Sequence, residues 1–322
     1  MKVLFWGTPA FALPALRALS EEGHVVVGVV TQPDRPAGRG REVAMSPVKQ
    51  EALAEGIPVL QPEKARGDEF MARIRALDAD VSVVVAFGQI LKPEVLAVPR
   101  LGSINIHASL LPELRGAAPI QWAIVRGHTE SGVTIMRMEA GLDSGPMLLR
   151  VEEPIQPEES ASELGARLAE IGAEALVETL ALMESGGIGE EPQDHARATY
   201  APKVDRDTAR LDWSLPADEV ALWIRGMDDV PGAWSPLEGR GTVKLFRPKV
   251  VEDRGGAPGE VLRADEDGVV IACGFASVRV REVQPPGKRR MPAADWVRGR
   301  GVRAGDRFEA HPAAAGAPDV QA

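Results

Sequence analysis

Three short runs admit almost no polar residue: Lys2-Val3-Leu4-Phe5-Trp6, His24-Val25-Val26-Val27-Gly28-Val29-Val30 and Val81-Ser82-Val83-Val84-Val85-Ala86. A strand with one face in water alternates apolar and polar side chains. A strand that is apolar throughout has both faces covered, as in a parallel sheet between helices. Gly7-Thr8-Pro9 and a helical stretch over residues 10–19 separate the first two runs, so strand, helix and strand follow within ~30 residues as a βαβ unit. Further helices are expected over about 47–55 and 67–77. The predicted fold class is α/β, a doubly wound parallel sheet of Rossmann-like type. A dinucleotide site is excluded on detail, because the first turn is Gly7-Thr8-Pro9-Ala10 rather than G-x-G-x-x-G. Gly38-Arg39-Gly40 stands in the wrong loop and lacks the third glycine.

Chemistry concentrates in Gly102-Ser103-Ile104-Asn105-Ile106-His107-Ala108-Ser109-Leu110-Leu111-Pro112. Ile104 and Ile106 alternate with Ser103, Asn105 and His107, a period of two that predicts a strand. Asn105 and His107 would share one face about 6.6 Å apart. Pro112 and Gly116 turn the chain into a loop carrying Arg115. Residues 133–138 read as another strand, running into the glycine-bounded loop Gly141-Leu142-Asp143-Ser144-Gly145. By this reading all three polar groups stand at the C-terminal ends of strands, where open α/β sheets bind ligands. Acyl transfer between two nitrogens develops an oxyanion, and one amide donor aimed at it is worth about 100- to 1,000-fold in rate. The attacking amine sheds a proton and the leaving nitrogen gains one, which suits a histidine near neutral pH. A carboxylate beside that histidine orients the ring and favours its cationic form.

The net charge of −10 argues against a general nucleic-acid coat. Its distribution says more. Residues 1–205 hold 19 Lys+Arg against 29 Asp+Glu, and residues 206–322 hold 18 against 18. Residues 288–307 carry seven basic side chains against two acidic ones. Cys273 is the sole cysteine and sits in an apolar run, so it predicts a buried filler and no disulfide framework. The five histidines are scattered without metal-ligand spacing. No run reaches the ~18 apolar residues of a membrane span. A cytoplasmic protein without a metal or a membrane partner is expected.

The long segment 32–49 contains Pro33-Asp34-Arg35-Pro36-Ala37-Gly38-Arg39-Gly40-Arg41, and proline and glycine argue for an irregular loop. Arginines on such a loop can fold onto a phosphate backbone. Ser160-Ala161-Ser162-Glu163 is a capping box opening a helix to about Met183. The expected domains are 1–189, a polar linker 190–207, a second domain 208–310 and a disordered tail 311–322. The second domain shows strand-like runs at 210–213, 243–246, 259–262, 269–273 and 277–283, with a helix near 217–225. That spacing predicts a small β-barrel, and such barrels can bind nucleic acid through a basic face.

Asn105-Ile106-His107-Ala108-Ser109-Leu110-Leu111-Pro112, Arg115-Gly116-Ala117-Ala118-Pro119-Ile120-Gln121-Trp122, and Ser131-Gly132-Val133-Thr134-Ile135-Met136 running to Gly141-Leu142-Asp143-Ser144-Gly145 resemble the motifs of the 10-formyltetrahydrofolate-dependent formyltransferase family. The likeness covers most of residues 1–310 and is closest to the branch that formylates methionyl initiator tRNA. It implies transfer of a formyl group from 10-formyltetrahydrofolate to the methionyl α-amine, giving N-formylmethionyl-tRNA for translation initiation. It also implies that the second domain is a small OB-like β-barrel and that Asn105, His107 and Asp143 are catalytic. The folate pocket would be lined by Phe87, Gly88, Gln89, Ile90 and Leu91, by Ser109, Leu110, Leu111 and Pro112, and by Gly141 and Leu142. The tRNA contacts it implies are Arg35, Arg39 and Arg41 in the 33–49 insertion and Lys203 in the motif Tyr200-Ala201-Pro202-Lys203. Lys288, Arg289 and Arg290 on the barrel are the further basic candidates. A monomer is expected. The chain departs from the family at Phe87, where Tyr is common, and at Pro146, where an acidic residue is common. Alternatives are a formyltransferase acting on a small amine acceptor, a hydrolase deformylating the folate, and a non-catalytic RNA-binding protein.

Overall fold

The computed structural model describes residues 1–37 and 42–310. They divide into two compact units. The first comprises residues 1–116, 131–153 and 165–199, and the second residues 117–130, 154–164 and 200 onward. In chain order the elements are β1 (Lys2–Gly7), α1 (Leu13–Glu21), β2 (Val25–Val30), β3 (Arg35–Ala37), β4 (Glu42–Ala44), α2 (Pro47–Ala54), β5 (Val59–Leu60), α3 (Asp68–Ala76), β6 (Val81–Val85), α4 (Pro93–Leu96), β7 (Ser103–His107), β8 (Arg115–Gly116), α5 (Pro119–Val125), β9 (Glu130–Arg137), β10 (Met147–Pro154) and α6 (Ala161–Ser185). There follow β11 (Tyr200–Ala201), α7 (Ala217–Gly226), β12 (Trp234–Leu237), β13 (Gly241–Val251), β14 (Val261–Asp265), β15 (Gly268–Ala272), β16 (Ser277–Gln284), β17 (Met291–Pro292) and α8 (Ala293–Arg298).

The first unit is built on a seven-stranded sheet in the order β10-β9-β7-β6-β1-β2-β5. The apolar runs occupy β1, β2 and β6 and pair in parallel, as does β7 with β6. On one face Leu4, Trp6 and Val84 pack with Phe70, Met71 and Ile74 of α3. Trp6 meets Phe70 and Phe87 edge-on with centroids at 6.0 and 5.2 Å. Its indole N–H, carried into this core, donates to Ser82 Oγ at 3.0 Å, so burial leaves no polar group unmet. Beneath the strand that bears the site, Gly172 of α6 approaches so closely that a Cβ there would stand 2.9 Å from Ile106 Cγ2.

The sheet is not parallel throughout. β9 runs antiparallel to β7, with Ile104 opposite Arg137 and His107 opposite Thr134. The end of β9 therefore lies beside the start of β7. The segment 32–49 also differs from an irregular loop, because β3 and β4 form a two-stranded ribbon with Arg35 opposite Ala44. Extended Pro36 lacks an N–H but leaves its neighbours free to pair. Arg39, Arg41 and residues 311–322, for which a disordered tail is expected, lie outside the described residues.

The second unit holds an antiparallel sheet ordered β12-β13-β16-β15-β14, with β17 on β16. Residues 307 and 308 draw its edges together, Phe308 bridging Leu237 and Arg307 bridging Glu260. This closes the barrel around Trp213, Phe308, Val243, Leu245, Ile271 and Val280. Cys273 is buried, and burial pushes its thiol up to about 12, far from reactivity. Residues 210–213, expected as a strand, form only an isolated parallel bridge of Arg210 to Trp234, and a turn follows in which Asp212 Oδ1 accepts from Ser214 N and Oγ at 2.9 and 2.6 Å. The fifth long strand is β12. Three indole N–H groups hold the segment after residue 200: Trp122 donates to Pro202 O (2.7 Å), Trp234 to Arg206 O (2.6 Å) and Trp223 to Thr208 O (2.9 Å). The expected linker 190–207 is thus structured. Gln193 is buried and Glu191 pairs with Met147 within the first unit.

Candidate active site

β7 delivers Asn105 and His107 to one face, as its alternation requires. His107 is 5% exposed. The Asn105 side-chain amide is half-buried and has no hydrogen-bond partner among the described residues. The chain then folds back under its own strand. Thr134 Oγ1 on β9 donates to Ser109 O (2.7 Å) and accepts from Leu111 N (3.1 Å), and Ser109 Oγ donates to Glu113 O (2.6 Å). This return brings the Leu114 carbonyl to 3.0 Å from His107 Nε2. A carbonyl only accepts, so Nε2 carries a proton. The other nitrogen, Nδ1, faces Asp143 Oδ2 at 3.8 Å. A neutral ring then presents an Nδ1 lone pair toward that side, and a cationic ring presents an Nδ1–H.

Asp143 reaches this position by an unexpected route. Because β9 is antiparallel, the 138–146 loop leaves beside the N-terminal end of β7, where Met138 N donates to Ser103 O at 2.9 Å. The expectation that all three groups stand at C-terminal strand ends holds for Asn105 and His107 only. Asp143 is carried back along the strand by its loop, and it adopts the left-handed region with φ +46°. Its Oδ2 accepts from Gly116 N at 2.8 Å.

Gln193, which the sequence reading passed over, completes the arrangement together with Arg115. Gln193 Nε2 donates to the carbonyls of Asp143 (2.9 Å) and Gly145 (2.7 Å). Its Oε1 accepts from Arg115 Nε (3.1 Å) and from Arg115 Nη2 (2.6 Å). Arg115, itself buried, also donates to His195 Nδ1 at 3.0 Å. Gln193 lay hidden in a polar stretch that resembles a linker. Its one sequence signal is a lone amide between Pro192 and Asp194.

The expected folate-lining residues divide into supports and open surface. Phe87 is 2% exposed, and its carbonyl accepts from Thr8 Oγ1 (3.2 Å) and Gln32 Nε2 (3.1 Å). Gln89 spends its amide on backbone, accepting from Ala65 N (3.0 Å) and donating to Glu63 O (3.3 Å). Leu111 packs on Met136 and Met147, and Ser109 and Pro112 are buried. Gly88 supplies a φ of +84° that most side chains avoid. Leu91 is buried, and Leu110 half-buried. Ile90 at 88% and Leu142 at 57% are open apolar side chains, and Gly141 is exposed beside Leu142. Exposed apolar side chains of this kind suit an aromatic ligand. Among the described residues no group of three or more His, Cys, Asp or Glu side chains is placed to hold a metal. No described helix is long and apolar enough to cross a membrane.

The basic candidates also differ from one another. Arg35 and Lys203 are exposed. Lys49, a fourth cation of the 32–49 segment, is held by Asp34 at 2.5 Å. On the barrel Lys288 and Arg289 are exposed. Arg290, by contrast, contacts Glu282 Oε2 (2.6 Å), Asp228 Oδ1 (2.8 Å) and Asp229, and lies 4.0 Å over the Phe246 ring. Its charge is committed within the unit.

This fold is that of a formyl-transferring enzyme, and comparison with known proteins agrees. The formyl transferase model matches residues 1–180, and the model of the formyl transferase C-terminal domain matches residues 203–301. The chain belongs to the formyltransferase family. It is 45% identical over 308 residues to the methionyl-tRNA formyltransferase of Geobacter metallireducens, covering 96% of this chain and 98% of that one. It is 48% identical over 323 residues to that of Synechococcus sp., covering 97% and 99%. Among solved structures, HypX from Aquifex aeolicus in complex with tetrahydrofolic acid superposes with a TM-score of 0.67 at 20% identity. That match covers 92% of this chain and 47% of HypX, so the chain spans just under half of its length. The sugar 3N-formyl transferase WlaRD gives 0.65 at 16% identity, covering 90% and 99%. At these identities the likeness is one of fold.

Proposed function

We propose that this chain transfers the formyl group of 10-formyltetrahydrofolate to the α-amine of methionyl initiator tRNA, acting as a cytoplasmic monomer. The observation that carries the chemistry is the pairing of His107 with Asp143 Oδ2 at 3.8 Å beside the unpartnered Asn105 amide. The acceptor is supported by the near-complete coverage of methionyl-tRNA formyltransferases at 45–48% identity. In this reading the Asn105 amide N–H stabilises the negative charge that develops on the formyl oxygen. His107, held by the Leu114 carbonyl at Nε2, offers Nδ1 to the reacting groups. Asp143, 3.8 Å from Nδ1, sets the ring plane. The proton lost by the attacking amine and gained by the leaving nitrogen passes through this pair. Ile90 and Leu142 cover the folate ring system, while Gly88, Gln89 and the 109–112 turn shape its pocket.

The tRNA is held by basic side chains. Arg35, Arg39 and Arg41 of the 33–49 segment, with Lys203, Lys288 and Arg289, contact phosphates. Arg290 supports the barrel rather than the tRNA. Residues 1–189 carry catalysis and the contacts of the 33–49 segment, and residues 208–310 bind the tRNA through the barrel. The test is formyl transfer from 10-formyltetrahydrofolate to charged initiator tRNA beside charged elongator tRNA. Fast transfer to the initiator alone is expected, and folate consumption without formyl-tRNA would replace this reading with a hydrolase. Affinity for tRNA should fall steeply with salt, the mark of phosphate contacts.

A further inference from the structure

We propose that Gln193 is a positioning residue for formyl transfer, acting through Asp143, an inference that rests on the catalytic role of Asp143 proposed above. The 138–146 loop reaches His107 from the far end of its strand, and Gly141 and Leu142 at its crest are exposed. Packing alone does not fix such a loop. Two neighbouring residues do so in a closed circuit. The Gly116 N–H holds the Asp143 carboxylate (2.8 Å). The side chain of Arg115, next in sequence, holds Gln193 Oε1 (2.6 and 3.1 Å). Gln193 Nε2 then holds the main chain of Asp143 and Gly145 (2.9 and 2.7 Å). Side chain and backbone of Asp143 are thereby gripped from one dipeptide.

The chemistry of this circuit admits glutamine and little else. Oε1 faces a guanidinium and Nε2 faces two carbonyl oxygens, so the amide cannot rotate by 180° without setting donor against donor and acceptor against acceptor. At 6% exposure, water does not replace a lost partner cheaply. Asp143 sits at positive φ, a conformation that persists only where its surroundings enforce it. Gln193 supplies two of the hydrogen bonds that enforce it. A shift of the carboxylate by ~1 Å costs on the order of 100-fold in an oriented site.

The experiment uses the full-length enzyme and two variants, Gln193→Leu, which removes both ends of the amide, and Gln193→Glu, which keeps its volume and the Arg115 acceptor but turns an oxygen toward the two carbonyls. Each is measured alone and combined with Asp143→Ala. Expected is a loss in single-turnover rate at saturating folate on the order of 100-fold, with tRNA affinity within about twofold of wild type. The double variants should be no slower than Asp143→Ala alone, since the second substitution removes a constraint that no longer has an object. A purely structural role would instead lower the folded fraction and multiply with Asp143→Ala. Multiplicative losses, or Gln193 variants at wild-type rate beside a slow Asp143→Ala, would overturn the proposal while leaving the site intact. An Asp143→Ala enzyme at full rate would remove the catalytic reading itself, and this proposal with it. If Gln193→Leu fails to fold, Gln193→Glu carries the same comparison.

Discussion

Asp143→Asn isolates a single charge. The asparagine side chain has the carboxylate's size, and its carbonyl oxygen still accepts from Gly116 N–H, so the loop keeps its anchor. What disappears is the negative charge 3.8 Å from His107 Nδ1. Two unit charges at that separation interact by about 1 kcal/mol in water and ~4 kcal/mol at an effective dielectric of 20. The His107 and Asp143 side chains are 6% and 17% exposed, which sets the pair toward the drier limit. A loss of about 3 kcal/mol in stabilisation of the positive charge of the transition state corresponds to a drop on the order of 100-fold in rate. The assay is single-turnover formyl transfer to methionyl initiator tRNA at saturating folate, with tRNA affinity measured separately. Affinity should stay within about twofold, because no tRNA contact is removed. An Asp143→Asn enzyme that keeps more than half of the wild-type rate would refute the reasoning.

Arg290→Ala strips the counter-charge from Glu282, Asp228 and Asp229, one of them buried, and should lower unfolding stability by about 3 kcal/mol in a denaturant titration. Burial, and then Asp229 beside it, raise the Asp228 carboxyl from 3.8 to about 6 against the pull of Arg290. The folded state therefore holds a proton that the unfolded state has lost. This contribution is complete below about pH 4 and disappears as pH rises through about 6, by about 3 kcal/mol. Asp228→Asn should flatten the stability profile in that window. Glu163 has the opposite sign: burial works upward on it, but hydrogen bonds from Arg247 and from Ser160 N and Oγ outweigh it and leave the group at about 2. Its contribution holds above about pH 4.5 and fades as pH falls toward 2. It is reduced by the 43% exposure of the side chain, and Glu163→Gln should remove it in an acid melt. Gly172→Ala places a methyl 2.9 Å from Ile106 Cγ2 and should destabilise by about 1–3 kcal/mol in thermal unfolding while slowing transfer, because Ile106 lies between Asn105 and His107.

The parallel core was legible because its strands are apolar on both faces, a pattern that only a doubly covered sheet explains. Asn105 and His107 were legible because a period of two assigns them a common face. Other features are set by non-local geometry. Nothing in residues 130–137 states that β9 pairs antiparallel, so the path of Asp143 could not be read. Gln193 acts through backbone carbonyls 50 and 48 positions away, and a carbonyl leaves no mark in a sequence. The run Lys288-Arg289-Arg290 reads as uniform, yet three carboxylates and a phenyl ring remove Arg290 from it. β12 escaped notice because Pro236 argues against a strand interior. The turn at Asp212 took its place because Leu211 and Trp213 mimic a strand's alternation around it.

The second unit draws residues 117–130 and 154–164 from the middle of the chain, so no single stretch of gene encodes it. Its helix α5 lies against α7 with Trp122 edge-on to Trp223 at 6.1 Å, and Gly226 is so close that a Cβ would stand 3.0 Å from Gln121 O. A barrel excised at residue 208 leaves that helix behind and bares the surface it covered. Recombination within the family therefore faces a constraint unrelated to the reaction. A chimera that joins two parents at residue 205 inherits α5 from one and its matching groove from the other. Such hybrids should accumulate as folded protein only when residues 117–130 travel with the barrel, making this internal helix a unit of heredity shared between two distant parts of the reading frame.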